Sequence, residues 1–174
     1  MTVHKIVEIP DPRLRTISTP VEVVDDQVRA LIDDMFDTMY ASRGIGLAAI
    51  QIGVPKRVLV IDLQEEGEDG KAVRDPQVFI NPEIVAAGDA INIYNEGCLS
   101  VPDQYAEVER PASCRVRWLD RDGKAHDQQL EGLLATCIQH EMDHLEGIIF
   151  IDHLSRLKRE MVLKKLAKQR KAAA

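Results

Sequence analysis

Two histidines four residues apart, His140 and His144, sit inside a stretch with helical apolar spacing. That pairing restricts the fold more than any other feature of the chain. Residues 131–146 carry the helix pattern and Gly147 supplies its C-terminal stop, so both imidazoles leave one helical face and can reach one metal ion. Leu133, Cys137, His140 and His144 fall on a single stripe, so the site side of this helix is also its buried side. Glu141 is turned aside from that axis, yet close enough to handle the proton of a water at such a metal.

Two histidines do not complete a catalytic metal site, which needs a third protein ligand and one open position. The residues after His144 do not continue as a metzincin's third-histidine pattern. A peptidase of the gluzincin type would use a glutamate further down the chain, and Glu160 is the only candidate beyond the Gly147 stop. The other source is an upstream thiolate, for which Cys98, Cys114 and Cys137 compete. Cys98 lies in Glu96-Gly97-Cys98-Leu99-Ser100-Val101-Pro102, where Gly97 allows a close backbone approach. Cys114 reads as a small buried residue beside a strand, and Cys137 as a pocket wall one turn before His140.

Gly44-Ile45-Gly46-Leu47-Ala48-Ala49-Ile50-Gln51 matches the dinucleotide-binding G-x-G-x-x-A. The context opposes that reading, because the fingerprint must follow a strand and open a helix. Here a helix precedes it, and Gly53 and Pro55 stop anything helical after it. The segment reads instead as small residues whose backbone can lie against a ligand, ending in an amide side chain.

The remaining pattern predicts one α+β domain over residues 1–174. Residues 1–24 are irregular and proline-punctuated, and Asp25 or Asp26 caps a helix to about Ser42 that Gly44 and Gly46 end. Strands are expected at 57–63, 78–80 (ended by Asn81-Pro82), 90–94, 115–119 and 125–130, the last two joined by a hairpin. A third helix spans 155–171, with Leu157, Met161, Leu163 and Leu166 as its apolar side. No apolar run approaches the roughly 18 residues of a membrane span. Three cysteines are too few for a disulfide framework, which makes a reduced, cytoplasmic location the expectation.

The formal charge of −7 hides a split. Residues 155–174 hold eight basic residues against one acid, a net of +7, which leaves −14 on residues 1–154. With 4% aromatics and an acidic body there is no stacking platform for RNA, so a nucleic-acid-binding module would have to rely on residues 155–171 alone.

Three segments taken together resemble the peptide deformylase family: Gly44 to Gln51 as G-x-G-x-A-A-x-Q, Glu96 to Ser100 as E-G-C-L-S, and Gln139 to His144 as Q-H-E-x-D-H. The resemblance extends from Pro10-Asp11-Pro12-Arg13-Leu14-Arg15 to the basic terminal helix. It implies antiparallel β-sheets around a central metal-binding helix, with a C-terminal helix beyond. It implies that Cys98, His140 and His144 hold one divalent metal ion, usually Fe(II), with zinc, nickel or cobalt able to replace it. Glu141 is then the acid–base, while Gln51 and the Leu99 backbone N–H stabilise the formyl oxygen. The implied reaction removes the N-formyl group from formylmethionyl nascent chains and releases formate. Gly44, Ile45, Gly46 and Gly97 are expected to face the peptide, and Ile45, Leu133 and Cys137 to wall an apolar pocket for the methionine side chain. Glu96 and Arg110 read either as a supporting ion pair or as two solvated charges. In similar bacterial enzymes the terminal helix docks on the ribosome, so residues 155–171 read either as a ribosome-docking helix or as a plain solvated amphipathic one, whereas membranes and sequence-specific nucleic-acid binding are not expected.

Overall fold

A computed structural model describes residues 2–174. Its elements in chain order are α1 (Asp26–Ala41), β1 (Gly46–Ala48), β2 (Val58–Ile61), β3 (Gln77–Ala87), β4 (Ile91–Cys98), β5 (Val101–Pro111), β6 (Ser113–Leu119), β7 (Ala125–Glu131), α2 (Gly132–Leu145) and α3 (Arg156–Ala173). Every strand pairing is antiparallel. One sheet has the order β1-β2-β3-β6-β7, and β4 and β5 form a separate hairpin.

The large sheet is apolar on both faces because helices cover both. In β2 all four residues are fully buried, so the strand reads as an unbroken apolar run rather than an alternation. Val58 and Val60 pack with Val28, Ile32, Met35 and Met39 of α1. Leu59 and Ile61 turn the other way, towards Ala135, Ile138 and Leu145 of α2. The Asp25 carboxylate starts α1 by accepting from the Val28 N–H at 3.0 Å. α2 touches the large sheet on one side and β5 on the other, which makes it the central helix.

A third apolar cluster joins distant parts of the chain: Val7 and Ile9, Val101 and Val108 of β5, Phe150, and Val162 and Leu166 of α3. Burying Val162 and Leu166 contributes about 1.5–3 kcal/mol each. Polar ties add to this attachment: Arg170 donates to the Ile9 carbonyl at 2.7 Å and Gln169 to Asp103 at 2.8 Å. Among the described residues, no helix is long and apolar enough to cross a membrane.

Several expected boundaries move. α1 keeps its expected end, closing at Ala41 with Ser42 as its C-cap, but Gly46 opens a strand. β3 does not stop at Asn81-Pro82. Asn81 adopts φ 49° and exchanges two 2.8 Å hydrogen bonds with Val21, and the bulge there accommodates the missing proline N–H. β4 runs on to Cys98, and β5 has no counterpart in the sequence reading. The inward side of β5 carries Gln104 and Arg110 alongside Val108, which breaks the apolar alternation that marks a strand. On α3 the buried side chains are Val162 and Leu166, while Leu157, Met161 and Leu163 are exposed. The expected apolar side of that helix is therefore rotated.

Gly147 turns the chain out of α2 at φ 72°, and a Cβ there would lie 2.6 Å from the Arg15 carbonyl oxygen. Backbone strain and a clash with backbone then act together. Gly147→Ala is expected to destabilise the fold by roughly 2–4 kcal/mol, read as a fall of about 5–15 °C in the thermal unfolding midpoint.

Candidate metal centre

α2 brings His140 and His144 to one face, and the turn closing the β4–β5 hairpin brings Cys98 opposite them. One ligand atom from each of Cys98, His140 and His144 falls within 4.8 Å of the others. The Cys98 Sγ is 3.4 Å from His144 Nε2. One thiolate and two imidazoles form a three-ligand set that suits zinc or iron and leaves a position open. Two buried polar atoms nearby, His144 Nδ1 and Glu141 Oε2, have no hydrogen-bond partner. The residues present therefore fit a metal ion. Glu160 is exposed on α3 and bonded to Arg156 at 3.1 Å, outside the cluster, which removes the glutamate-liganded alternative. Cys114 is fully buried in the core.

His140 is aligned from behind. Its Nδ1–H donates to Glu96 at 2.8 Å, which leaves Nε2 for a ligand bond. Glu96 is gripped in turn by Arg110 through bonds of 2.7 and 3.0 Å, which decides for an ion pair over two solvated charges. Asp143 holds the far side of the guanidinium at 2.9 Å and also binds His153 at 2.7 Å. The sequence reading assigned no part to Asp143 or His153. The available signal was Asp143 itself, an acid inside the histidine motif on a largely buried helix.

The centre opens into a cavity of about 660 Å³. Gly44, Ile45 and Gly46 line one wall, Gly97 and Leu99 the other, and Gln51, Cys137, His140 and Glu141 the interior. Thr136, not singled out from sequence, also lines it. Leu133 stands outside this lining, partly buried against the core beside Leu134. Gly46 lies so close to Glu141 that a Cβ would stand 2.8 Å from Oε1, and Gly44 meets Leu99 in the same way. The Gln51 side chain is buried. It accepts from the Ala48 N–H at 2.9 Å, donates to Ser100 Oγ at 3.1 Å, and stands 3.5 Å from Cys98 Sγ.

Burial pushes the Glu141 carboxyl up to about 7, against the pull of His140, a value suited to exchanging a proton near neutral pH. Burial, with Glu141 and Glu96 nearby, pushes the Cys137 thiol up to about 12, so it stays protonated. His144 is held well below the usual histidine value by burial and by His140, which keeps it neutral as a ligand must be.

For Glu96, burial alone would raise the carboxyl, but the bonds from His140 and Arg110 prevail and hold it at about 2 against an ordinary 4.5. The folded value lies below the unfolded one, so ionised Glu96 adds stability above about pH 4.5. That contribution, on the order of 3 kcal/mol, is lost as pH falls towards 2. Glu96→Gln is expected to flatten the fall of stability between about pH 4.5 and 2, measured by denaturant unfolding across that range.

Comparison with known proteins agrees with this geometry. The family model described as polypeptide deformylase matches residues 3–160. A peptide deformylase of Rhizorhabdus wittichii is 70% identical, with 99% of this chain and 98% of the relative covered. One from Zymomonas mobilis is 66% identical, covering 98% and 97%. The crystal structure of a peptide deformylase from Legionella pneumophila superposes with a TM-score of 0.89 at 46% identity, over 99% of this chain and 98% of that one. That of Ehrlichia chaffeensis in complex with actinonin gives 0.89 at 44%, over 97% and 98%. The three-ligand cluster, the carboxylate beside it and these likenesses have one reading: the chain belongs to the polypeptide deformylase family.

Proposed function

We propose that this chain is a metal-dependent amide hydrolase that removes the N-formyl group from formylmethionine at the start of nascent polypeptides and releases formate. The observation that carries the reading is the convergence of Cys98, His140 and His144 beside the buried Glu141 carboxyl, at a cavity walled by a free strand edge. Residues 1–174 act as one catalytic unit in this reading, with the basic helix at 155–171 packed against it through Val162 and Leu166.

Cys98, His140 and His144 would hold one divalent metal, Fe(II) in the cell, with zinc, nickel or cobalt able to substitute. When bound, that metal supplies a Lewis acid that brings a water's pKa towards 7 and polarises the formyl carbonyl. Glu141 takes the proton of the attacking water and returns it to the departing amine. Negative charge then develops on the formyl oxygen. Gln51 Nε2, already beside Cys98, and the Leu99 N–H are the donors suited to it. The Gly44–Gly46 edge pairs with the extended peptide while Gly97 borders its other side. Ile45 and Cys137 face the methionine side chain; Leu133 supports that wall from the core.

The chain is read as a cytoplasmic protein, supported by its three free cysteines. Nascent formylmethionyl peptides are its partners, and the ribosome is a proposed second one through exposed Lys158, Lys164, Lys165 and Lys168 on α3. No membrane or sequence-specific nucleic-acid partner is proposed. Removing α3 to test this would strip Val162 and Leu166 from the core, so reversing those four lysines to Glu is the cleaner change. The variant is expected to lose ribosome co-sedimentation while keeping its unfolding midpoint.

Anaerobic purification with elemental analysis, assayed on formyl-Met-Ala-Ser, tests the main reading: about one metal per chain and formate release are expected. Cys98→Ser should lose both the metal and the activity, and retention of both would overturn the ligand assignment. Gln51→Ala should keep the metal but lower kcat by about 100–1000-fold.

A further inference from the structure

The mouth of the cavity carries a cation that nothing neutralises. Arg43 lines the cavity next to Gly44 and Ile45 and is exposed. Among the described residues it makes no ion pair, whereas Arg13 holds Asp11, Arg15 holds Asp152 and Arg121 holds Asp33. Arg74 also lacks a carboxylate, but it lies over the Tyr40 ring at 4.1 Å.

The backbone at Arg43 is unusual for its residue type. Its N–H donates to the Tyr40 carbonyl at 3.0 Å and that of Gly44 to Met39 at 2.9 Å, which closes α1 as a Schellman motif. The residue in the left-handed position of that motif is usually glycine or asparagine, yet here it is arginine, at φ 58°. A long charged side chain in a conformation that disfavours it points to a task for its head group.

Register gives that task a position. The Asp62 N–H donates to the Ile45 carbonyl at 2.8 Å, so β2 covers one edge of this segment and the other edge remains for a peptide. Glu141 packs on Gly46, so the reacting end of a bound peptide lies there. An antiparallel peptide then passes Gly46, Ile45 and Gly44 in that order, advancing about 3.3 Å per residue. Its third residue lies opposite Gly44, where the long side chain of Arg43, one position on, can reach it. The opposite wall is neutral where the rings of Tyr94 and Tyr105 stand, the latter lying over Gly97. Asp103, the other exposed charge lining the cavity, is engaged elsewhere, accepting from Gln169 of α3 at 2.8 Å. Glu96 and Glu141 are buried at the interior.

We propose that Arg43 makes this site read charge at the third residue of its substrate, counting formylmethionine as the first, so that chains with Asp or Glu there are deformylated faster than chains with Lys or Arg. The inference rests on the deformylase reading above. The acidic body repels such substrates only at long range, where charges are screened beyond about 8 Å at physiological salt, so the charge in contact decides. An exposed pair in this setting is expected to give a Glu-to-Lys ratio of about fivefold in kcat/KM.

The test uses formyl-Met-Ala-Glu, formyl-Met-Ala-Gln and formyl-Met-Ala-Lys, each amidated at its C-terminus so that no terminal carboxylate supplies the charge. Ratios between peptides are taken within one preparation of metal-loaded enzyme, so a loss of active fraction in a variant cancels. Arg43→Asn and Arg43→Asp both tolerate the left-handed backbone. The native ratio of about five is expected to fall to about one in Arg43→Asn and below one in Arg43→Asp, and to shrink with added salt. A native ratio of one or less, or a ratio unchanged in Arg43→Asn, overturns the proposal. Absence of formate from all three peptides, the neutral one included, overturns the deformylase reading instead.

Discussion

A buried carboxylate held between an imidazole and a guanidinium orders everything around the centre. Glu96 belongs to β4, Arg110 to β5 and His140 to α2, so their mutual bonds join the hairpin to the helix at the point where the metal ligands meet. Removing one member would leave an uncompensated charge in the interior, a far larger penalty than losing an exposed pair. The arrangement therefore fixes a register as well as an imidazole orientation. Cys98 reaches the histidines because Glu96, two residues earlier on the same strand, is held in place.

The parts of this fold that were legible in the sequence are those where a single local rule operates. The Asp25 cap and the Val28, Ile32, Met35, Met39 spacing disclose α1, and the histidine pair with Gly147 discloses α2. Where tertiary contacts override local pattern, legibility ends. β5 turns Gln104 and Arg110 inward because other elements supply partners for them, and neither residue announces a strand. α3 hides its apolar stripe among other leucines and a methionine, and only the position of Val7, Ile9 and Phe150 decides that Val162 and Leu166 face in.

The Cys98, His140 and His144 cluster was legible because its motifs carry the chemistry with them. Each of the three segments supplies groups whose proximity sequence spacing alone does not give: Gln51 beside Cys98, and Glu141 against Gly46. The supporting contacts were less visible. Asp143 completes the grip on Arg110 from inside the histidine motif, where its neighbours draw attention away from it.

The cluster that joins Val7 and Ile9 to Val162 and Leu166 has a consequence for how the protein is made. These residues lie at opposite ends of about 160 residues of chain, and the Arg170 bond to the Ile9 carbonyl spans nearly all of it. During synthesis the early segment emerges long before the residues that cover it exist. Its apolar side chains must wait, exposed, while the sheets and the central helix are translated and assembled. Closure of this cluster is therefore a late event in the vectorial life of the chain, and the segment holding Val7 and Ile9 gains its last cover only when α3 arrives.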